Sequence, residues 1–223
     1  IKIGIEKNKI NITGNPFWDK IFEKVESRKN QQIQKKDKKR VLIVTGSLVE
    51  HGFWTIQERE KYLKILFSEL ISDKKISFAL KIHPASEDIE FYIKKILDQK
   101  IDVKIYQEEN FWDIINEYDL VLSYGFSTIH TECAYGGIKM ILLDIGWNFK
   151  KFALVNEAIS SKFFVICNRF EEIKKMVDLL YYENVVISQE LIKAREDISY
   201  KFDGKSGERA ANAIISLCKN FYK

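Results

Sequence analysis

The sequence is poor in the residues that mark several functional classes. Its 223 residues include only three cysteines, Cys133, Cys167 and Cys218, spread too far apart for metal-ligand spacing. Cys133 and Cys167 sit in apolar runs, which suits thiols used as small core residues in a reducing cytosol. No His/Cys/Asp cluster suggests a bound metal, so none is expected. No apolar run approaches the length of a membrane span, and no signal peptide is expected. Charge of one sign is in small excess: 36 Lys and Arg against 32 Asp and Glu give a net charge of +4. The lysines are dispersed, which reads as a solvated face and gives no nucleic-acid signal. The chain opens on Ile1 instead of Met, which reads as a fragment lacking its first part.

What is present is ordinary for a soluble globular protein, with 46% hydrophobic and 30% charged residues. Such a length holds one large domain or a domain with appendages. Residues 1–12 alternate apolar and polar positions (Ile1, Ile3, Ile5, then Ile10, Ile12) and read as one or two strands. T-G-N-P at Thr13–Pro16 is a turn by composition. Phe17, Ile21, Phe22 and Val25 share one face of a short amphipathic helix. Ser27–Lys39 is polar and reads as a linker. Residues 1–39 are therefore expected to be a tail and linker, and 40–223 the main domain.

From Arg40 onward, apolar runs of strand length alternate with helical periodicity. Strands are expected at 41–45, 76–82, 103–106, 119–124, 139–143 and 163–166. Helices are expected at 55–72, 87–99, 110–117, from Ser127 or Thr128 to about 135, 150–158, 169–182, 188–199 and 206–222. This alternation predicts an α/β fold with a doubly wound, mostly parallel, Rossmann-like sheet. Ligands of such sheets bind at the carboxyl ends of the strands, near the switch in strand order. The distinctive polar residues fall at that edge: Gly46 and Ser47 after the first strand, His83 after the second, Ser127 and Thr128 after the fourth.

The stretch Asp119–Asp144 organises the rest. Gly125 breaks the strand, Ser127 or Thr128 can cap a helix, and Gly136-Gly137 can end it. A helix N-terminus at a strand's carboxyl end offers free N–H groups and partial positive charge to a phosphate. One turn on, Glu132 is placed to accept hydrogen bonds from ribose hydroxyls. His51 reads as a loop residue, His130 as packing or surface, and Arg209 with Asp203 as a structural salt bridge.

T-G-N-P-F-W-D, V-T-G-S, K-I-H-P, S-T-I-H-T-E-C-A-Y-G-G and F-D-G-K-S-G-E-R, in that order, resemble the C-terminal, donor-binding half of GT-B glycosyltransferases. The H-P pair combined with S-T is most similar to bacterial transferases that use CMP-activated acidic sugars, the sialyl, polysialyl and Kdo capsule transferases. The D-G-K-S-G-E-R stretch resembles the CDP-glycerol polymerases of wall teichoic acid.

The resemblance implies His83, Ser127 and Thr128 as contacts to the nucleotide phosphates, Glu132 as the ribose contact, and Gly46 and Ser47 beside the donor. His83 is the catalytic candidate, adding charge or a proton at the leaving phosphate. The implied activity is metal-independent sugar transfer from a CMP-, CDP- or UDP-linked donor in surface-polysaccharide or capsule synthesis, with no other cofactor. The glycan or lipid-linked acceptor and the catalytic base would belong to a preceding domain. The implied location is the cytoplasm, with room for peripheral contact at the inner face of the membrane. The alternatives are an isomerase of the UDP-N-acetylglucosamine 2-epimerase type, a CDP-polyol phosphotransferase, and a non-catalytic nucleotide-binding module. Against the epimerase, its ligand loop is richer in Gly and Ser than S-Y-G-F-S-T, and its catalytic carboxylates find no match here.

Overall fold

In a computed structural model of the protein, the described residues are 6–29, 37–125, 127–146, 149–184 and 187–221. In chain order they form α1 (Phe17–Lys29), β1 (Lys39–Val44), α2 (Ile56–Ile71), β2 (Ile76–Lys81), α3 (Ile89–Asp98), β3 (Lys104–Tyr106) and α4 (Phe111–Ile114). There follow β4 (Leu120–Tyr124), α5 (Thr128–Gly136), β5 (Met140–Leu143), α6 (Ala153–Ser160), β6 (Phe164–Cys167), α7 (Ile173–Tyr182), α8 (Gln189–Ser199) and α9 (Ser206–Phe221). The chain divides into two compact units, one of Gln32–Ile187 and one combining Ile1–Gln31 with Ser188–Lys223.

The unit of residues 32–187 is the expected doubly wound sheet. Its six strands lie in the order β3-β2-β1-β4-β5-β6, and every neighbouring pair is parallel. The order reverses between β1 and β4, where the register pairs Val41 with Leu120 and Val44 with Ser123. Parallel strands covered on both faces must be apolar along their length. Accordingly Val41, Leu42, Ile43, Leu120, Val121 and Leu122 are all fully buried. Val41, Ile43, Leu80, Leu122 and Ile141 join one core with Leu66 and Phe67 of α2 and Val177 and Leu180 of α7. The alternate residues, such as Leu42, Val121 and Leu142, point to the opposite face.

Helix starts follow the sequence. Thr55 and Glu58 form a reciprocal capping box at α2, and Asp88 and Asn110 cap α3 and α4. Gly137, at φ 62° and ψ 34°, ends α5 with its N–H on the Cys133 carbonyl, which is the left-handed stop the Gly-Gly pair predicts.

In the other unit, the two motifs at opposite ends of the sequence meet. The Asp19 carboxylate of α1 accepts the backbone N–H groups of Ser206 (2.9 Å) and Gly207 (2.7 Å), capping α9. Arg209 donates to the Thr13 carbonyl at 2.9 Å and to both carboxylate oxygens of Asp203 at 2.8 and 2.9 Å. The guanidinium beside it holds the Asp203 carboxyl below its ordinary value. T-G-N-P-F-W-D and D-G-K-S-G-E-R thus supply one capping cluster, with Arg209 and Asp203 in the expected salt bridge.

The N-terminal alternation does not give a strand in residues 6–12. Lys7–Lys9 is a single 3-10 turn, and Ile10 and Ile12 follow it without a ladder. Alternation alone is insufficient where no neighbouring strand takes up the backbone groups. The strand expected over 1–5 and most of the linker at 27–39 lie outside the described residues, and α1 itself runs on to Lys29. Among the described residues, no helix is long and apolar enough to cross a membrane.

Candidate functional site

The carboxyl edge of the sheet at the β1–β4 switch is built on two glycines. A Cβ on Gly46 would come within 3.0 Å of the Tyr124 carbonyl oxygen and 3.6 Å of Gly125 Cα, so the loops after β1 and β4 touch backbone to backbone. Gly125 has φ +79°, and a Cβ there would meet Leu48 Cδ2 at 2.7 Å. Neither position admits a side chain without displacement.

Beyond Gly125, Ser127 is the N-cap of α5, its Oγ accepting the Ile129 N–H at 3.3 Å. Capping uses a lone pair, so the Ser127 hydroxyl proton stays available to a ligand. Thr128 is exposed at the first helical position. Phe126 lies outside the described residues.

On the other side of β1, the loop after β2 carries His83. Its backbone N–H donates to Glu87 Oε2 at 2.9 Å. Its ring Nδ1 receives the Ala85 N–H at 3.3 Å and lies 2.8 Å from Ser86 Oγ. Ser86 Oγ is in turn hydrogen-bonded to Ser47 Oγ of the loop after β1. His83, Ser86 and Ser47 therefore form one chain linking two strand ends. No hydrogen bond among the described residues joins Ser127 or Thr128 to His83.

Beneath this chain lies a carboxylate that belongs to none of the sequence motifs. The Glu87 side chain has no exposure and accepts the hydroxyls of Thr45 and Tyr92 as well as the His83 N–H. Arg59, itself 5% exposed, sits 3.9 Å from Glu87 and 2.7 Å from Glu50 of the loop after β1. Its guanidinium also lies over the Phe91 ring at 4.2 Å. Burial pushes the Glu87 carboxyl up, against three hydrogen bonds that favour the anion. In the sequence Glu87 merely opens a helix. The available signal was its spacing, since a residue four after His83 can turn back on it once the chain starts to coil.

Glu132, expected to accept hydrogen bonds from ribose hydroxyls, accepts one from an indole of the chain itself. It is 9% exposed, and its Oε2 accepts the Trp112 indole N–H at 2.5 Å. Burial raises its carboxyl above the ordinary value. His130 is packing, as expected: it is 1% exposed, bonded to Ser123 Oγ at 2.9 Å and set edge-on to Phe149. Desolvation pushes its imidazole down to about 4, so it is uncharged at neutral pH. His51 is exposed in the loop after β1. Among the described residues no group of three or more His, Cys, Asp or Glu is placed to hold a metal ion.

No protein-family model and no curated protein matches the sequence. Solved structures do match its fold. The UDP-GlcNAc 2-epimerase of Methanocaldococcus jannaschii, in complex with UDP-GlcNAc and UDP, has a TM-score of 0.60 at 17% identity, over 96% of this chain and 56% of that one. S. aureus MnaA with UDP has a TM-score of 0.57 at 15% identity, over 97% of this chain and 55% of that one. The spinosyn rhamnosyltransferase SpnG has a TM-score of 0.51 at 14% identity, over 80% of this chain and 46% of that one. This chain therefore has a Rossmann-like fold of the GT-B kind and spans about half the length of the structures it matches.

Proposed function

We propose that this chain is the nucleotide-sugar-binding half of a GT-B enzyme, that it takes a UDP-sugar at the β1–β4 switch, and that the reaction is an epimerisation of the UDP-GlcNAc 2-epimerase type. The observation that carries the binding site is a coincidence at one sheet edge. Backbone closely approached at Gly46 and Gly125, a capped helix start at Ser127 and the exposed His83 border the same strand ends. Ligands bind at such switch points because the diverging loops leave a crevice there.

In this reading the diphosphate faces the first turn of α5. The unpaired N–H groups and about half a unit of positive charge stabilise it, and the Ser127 and Thr128 hydroxyls donate to it. His83 donates from the opposite border. Fixed donors of this kind lower the barrier wherever negative charge grows on a phosphate oxygen as a sugar–phosphate bond loosens. Gly46 lets the loops after β1 and β4 pack together beneath the ligand, Ser47 stands behind His83, and Glu132 lies one turn further along α5 toward the nucleoside.

Epimerisation is preferred over transfer because both UDP-bound structures named above cover nearly the whole chain. The transferase reading is second, supported by the rhamnosyltransferase over four-fifths of the chain. This chain spans about half of each of those structures, and the groups that act on the sugar carbon, or on an acceptor, belong in this reading to the other half. An epimerisation that removes the C2 proton to a base and returns a solvent-derived proton to the opposite face breaks and remakes the C2–H bond. The complete enzyme, given UDP-GlcNAc in deuterated water without an acceptor, should therefore introduce deuterium at C2 of the recovered sugar. A UDP-sugar that stays untouched until an acceptor hydroxyl is supplied would replace epimerisation with transfer.

A further inference from the structure

His83 is fixed at both its backbone and its ring, and the ring contacts settle which nitrogen carries the proton. The Ala85 N–H points at Nδ1 from 3.3 Å. A backbone amide can only donate, so Nδ1 presents a lone pair and the ring proton sits on Nε2. Ser86 Oγ, 2.8 Å from the same Nδ1, must then donate its own proton there. With that proton committed, Ser86 can only accept from Ser47, so the chain runs in one direction, from Ser47 to Ser86 to Nδ1. Nε2 makes no hydrogen bond among the described residues, and the side chain is exposed. Glu87 meanwhile holds the His83 backbone N–H at 2.9 Å.

The geometry points to Ser86 as a positioning residue: with the Ala85 N–H, its hydroxyl holds Nδ1 as an acceptor, so that His83 meets its ligand with a neutral Nε2–H donor. This rests on the reading of the switch edge as a nucleotide site. Its chemical consequence is specific. An imidazole in this tautomer can give a hydrogen bond to a phosphate oxygen, but transferring its one proton would leave an imidazolate. His83 therefore stabilises the leaving phosphate as a donor and does not act as its general acid. Ser47, 5% exposed, spends its proton inside the chain and anchors Ser86 from behind.

Long-range 1H–15N spectra of the labelled protein at mildly alkaline pH read imidazole tautomers directly. With three histidines in the sequence, His83→Ala assigns the relevant ring. The wild type should show the Nε2–H form, Ser86→Ala a mixture of both tautomers, and Ser86→Thr a return to the wild-type form. Calorimetric titration with UDP should show Ser86→Ala binding roughly fivefold more weakly, the scale of one hydrogen bond, with Ser86→Thr restoring affinity. An Nδ1–H ring in the wild type, or a tautomer unmoved by Ser86→Ala, overturns the role of Ser86 even if UDP binds. Absence of UDP binding beside a tautomer that responds to Ser86→Ala overturns the nucleotide reading and leaves the role of Ser86 standing.

Discussion

The two borders of the switch are held by different means. The border after β2 is fixed by side chains: Glu87, without exposure, gathers Thr45, Tyr92 and the His83 N–H. The border after β4 is fixed by backbone: Gly125 takes φ +79° against Leu48, and Ser127 caps α5. The first depends on chemistry at nearly constant shape. The second depends on shape with almost no chemistry.

The largest expected effect follows from breaking the shape-dependent border. Gly125→Val forces a branched residue into a left-handed backbone with a 2.7 Å approach to Leu48. It should cost about 4 kcal/mol, from backbone strain plus overpacking, read by denaturant unfolding. A loss below about 1 kcal/mol would mean the turn relaxes freely. On the other border, Glu87→Ala takes the shared acceptor from the Thr45 and Tyr92 hydroxyls and the His83 N–H and removes one of two carboxylates near Arg59. It should cost about 3 kcal/mol. Glu87→Gln, which keeps the shape and one acceptor oxygen, should cost clearly less; equal losses would assign the effect to charge alone.

His130 packs behind the shape-dependent border and supplies a pH test. Its folded value, about 4, lies below the unfolded 6.5, so the unfolded chain binds the extra proton between them. Its contribution is intact above about pH 6.5 and is lost as pH falls toward about 4, on the order of 2–3 kcal/mol. Stability of His130→Gln should therefore fall less steeply than wild type across that window; parallel curves would contradict the buried neutral ring. The smallest effect is Ser127→Ala, which removes a helix cap worth about 1 kcal/mol. It should weaken UDP binding as well, and an effect on stability alone would reduce Ser127 to a cap.

Most of the fold was legible because each level of the sequence agrees with the next. The runs at β1 and β4 are apolar throughout, as two-sided burial demands, and Thr55, Asp88, Asn110 and Ser127 stand where helices begin. Gly137 marks its stop for the same reason. The failure at residues 6–12 has a clear cause, since a strand exists only with a partner and alternation does not name one.

The candidate site was legible only in part. Gly46, His83, Ser127 and Thr128 announce themselves as punctuation at strand ends. Ser86 and Glu87 do not, because their roles arise when the β2 loop folds across the end of β1, a contact 39 residues distant for Ser47 and Ser86. Glu132 was found by its place on α5, but its bond to Trp112, 20 residues away, was not. Local patterns reveal caps and turns, whereas buried polar partners are chosen by tertiary packing.

The central claim is that the switch edge binds a nucleotide diphosphate through His83 and the start of α5. Calorimetric titration of the protein with UDP, on wild type and His83→Ala, tests it most directly. The account predicts that UDP binds the wild type and that His83→Ala weakens binding about tenfold, with thermal stability unchanged because the side chain is exposed. A folded wild type that does not bind UDP, or equal affinity in the two proteins, would contradict it.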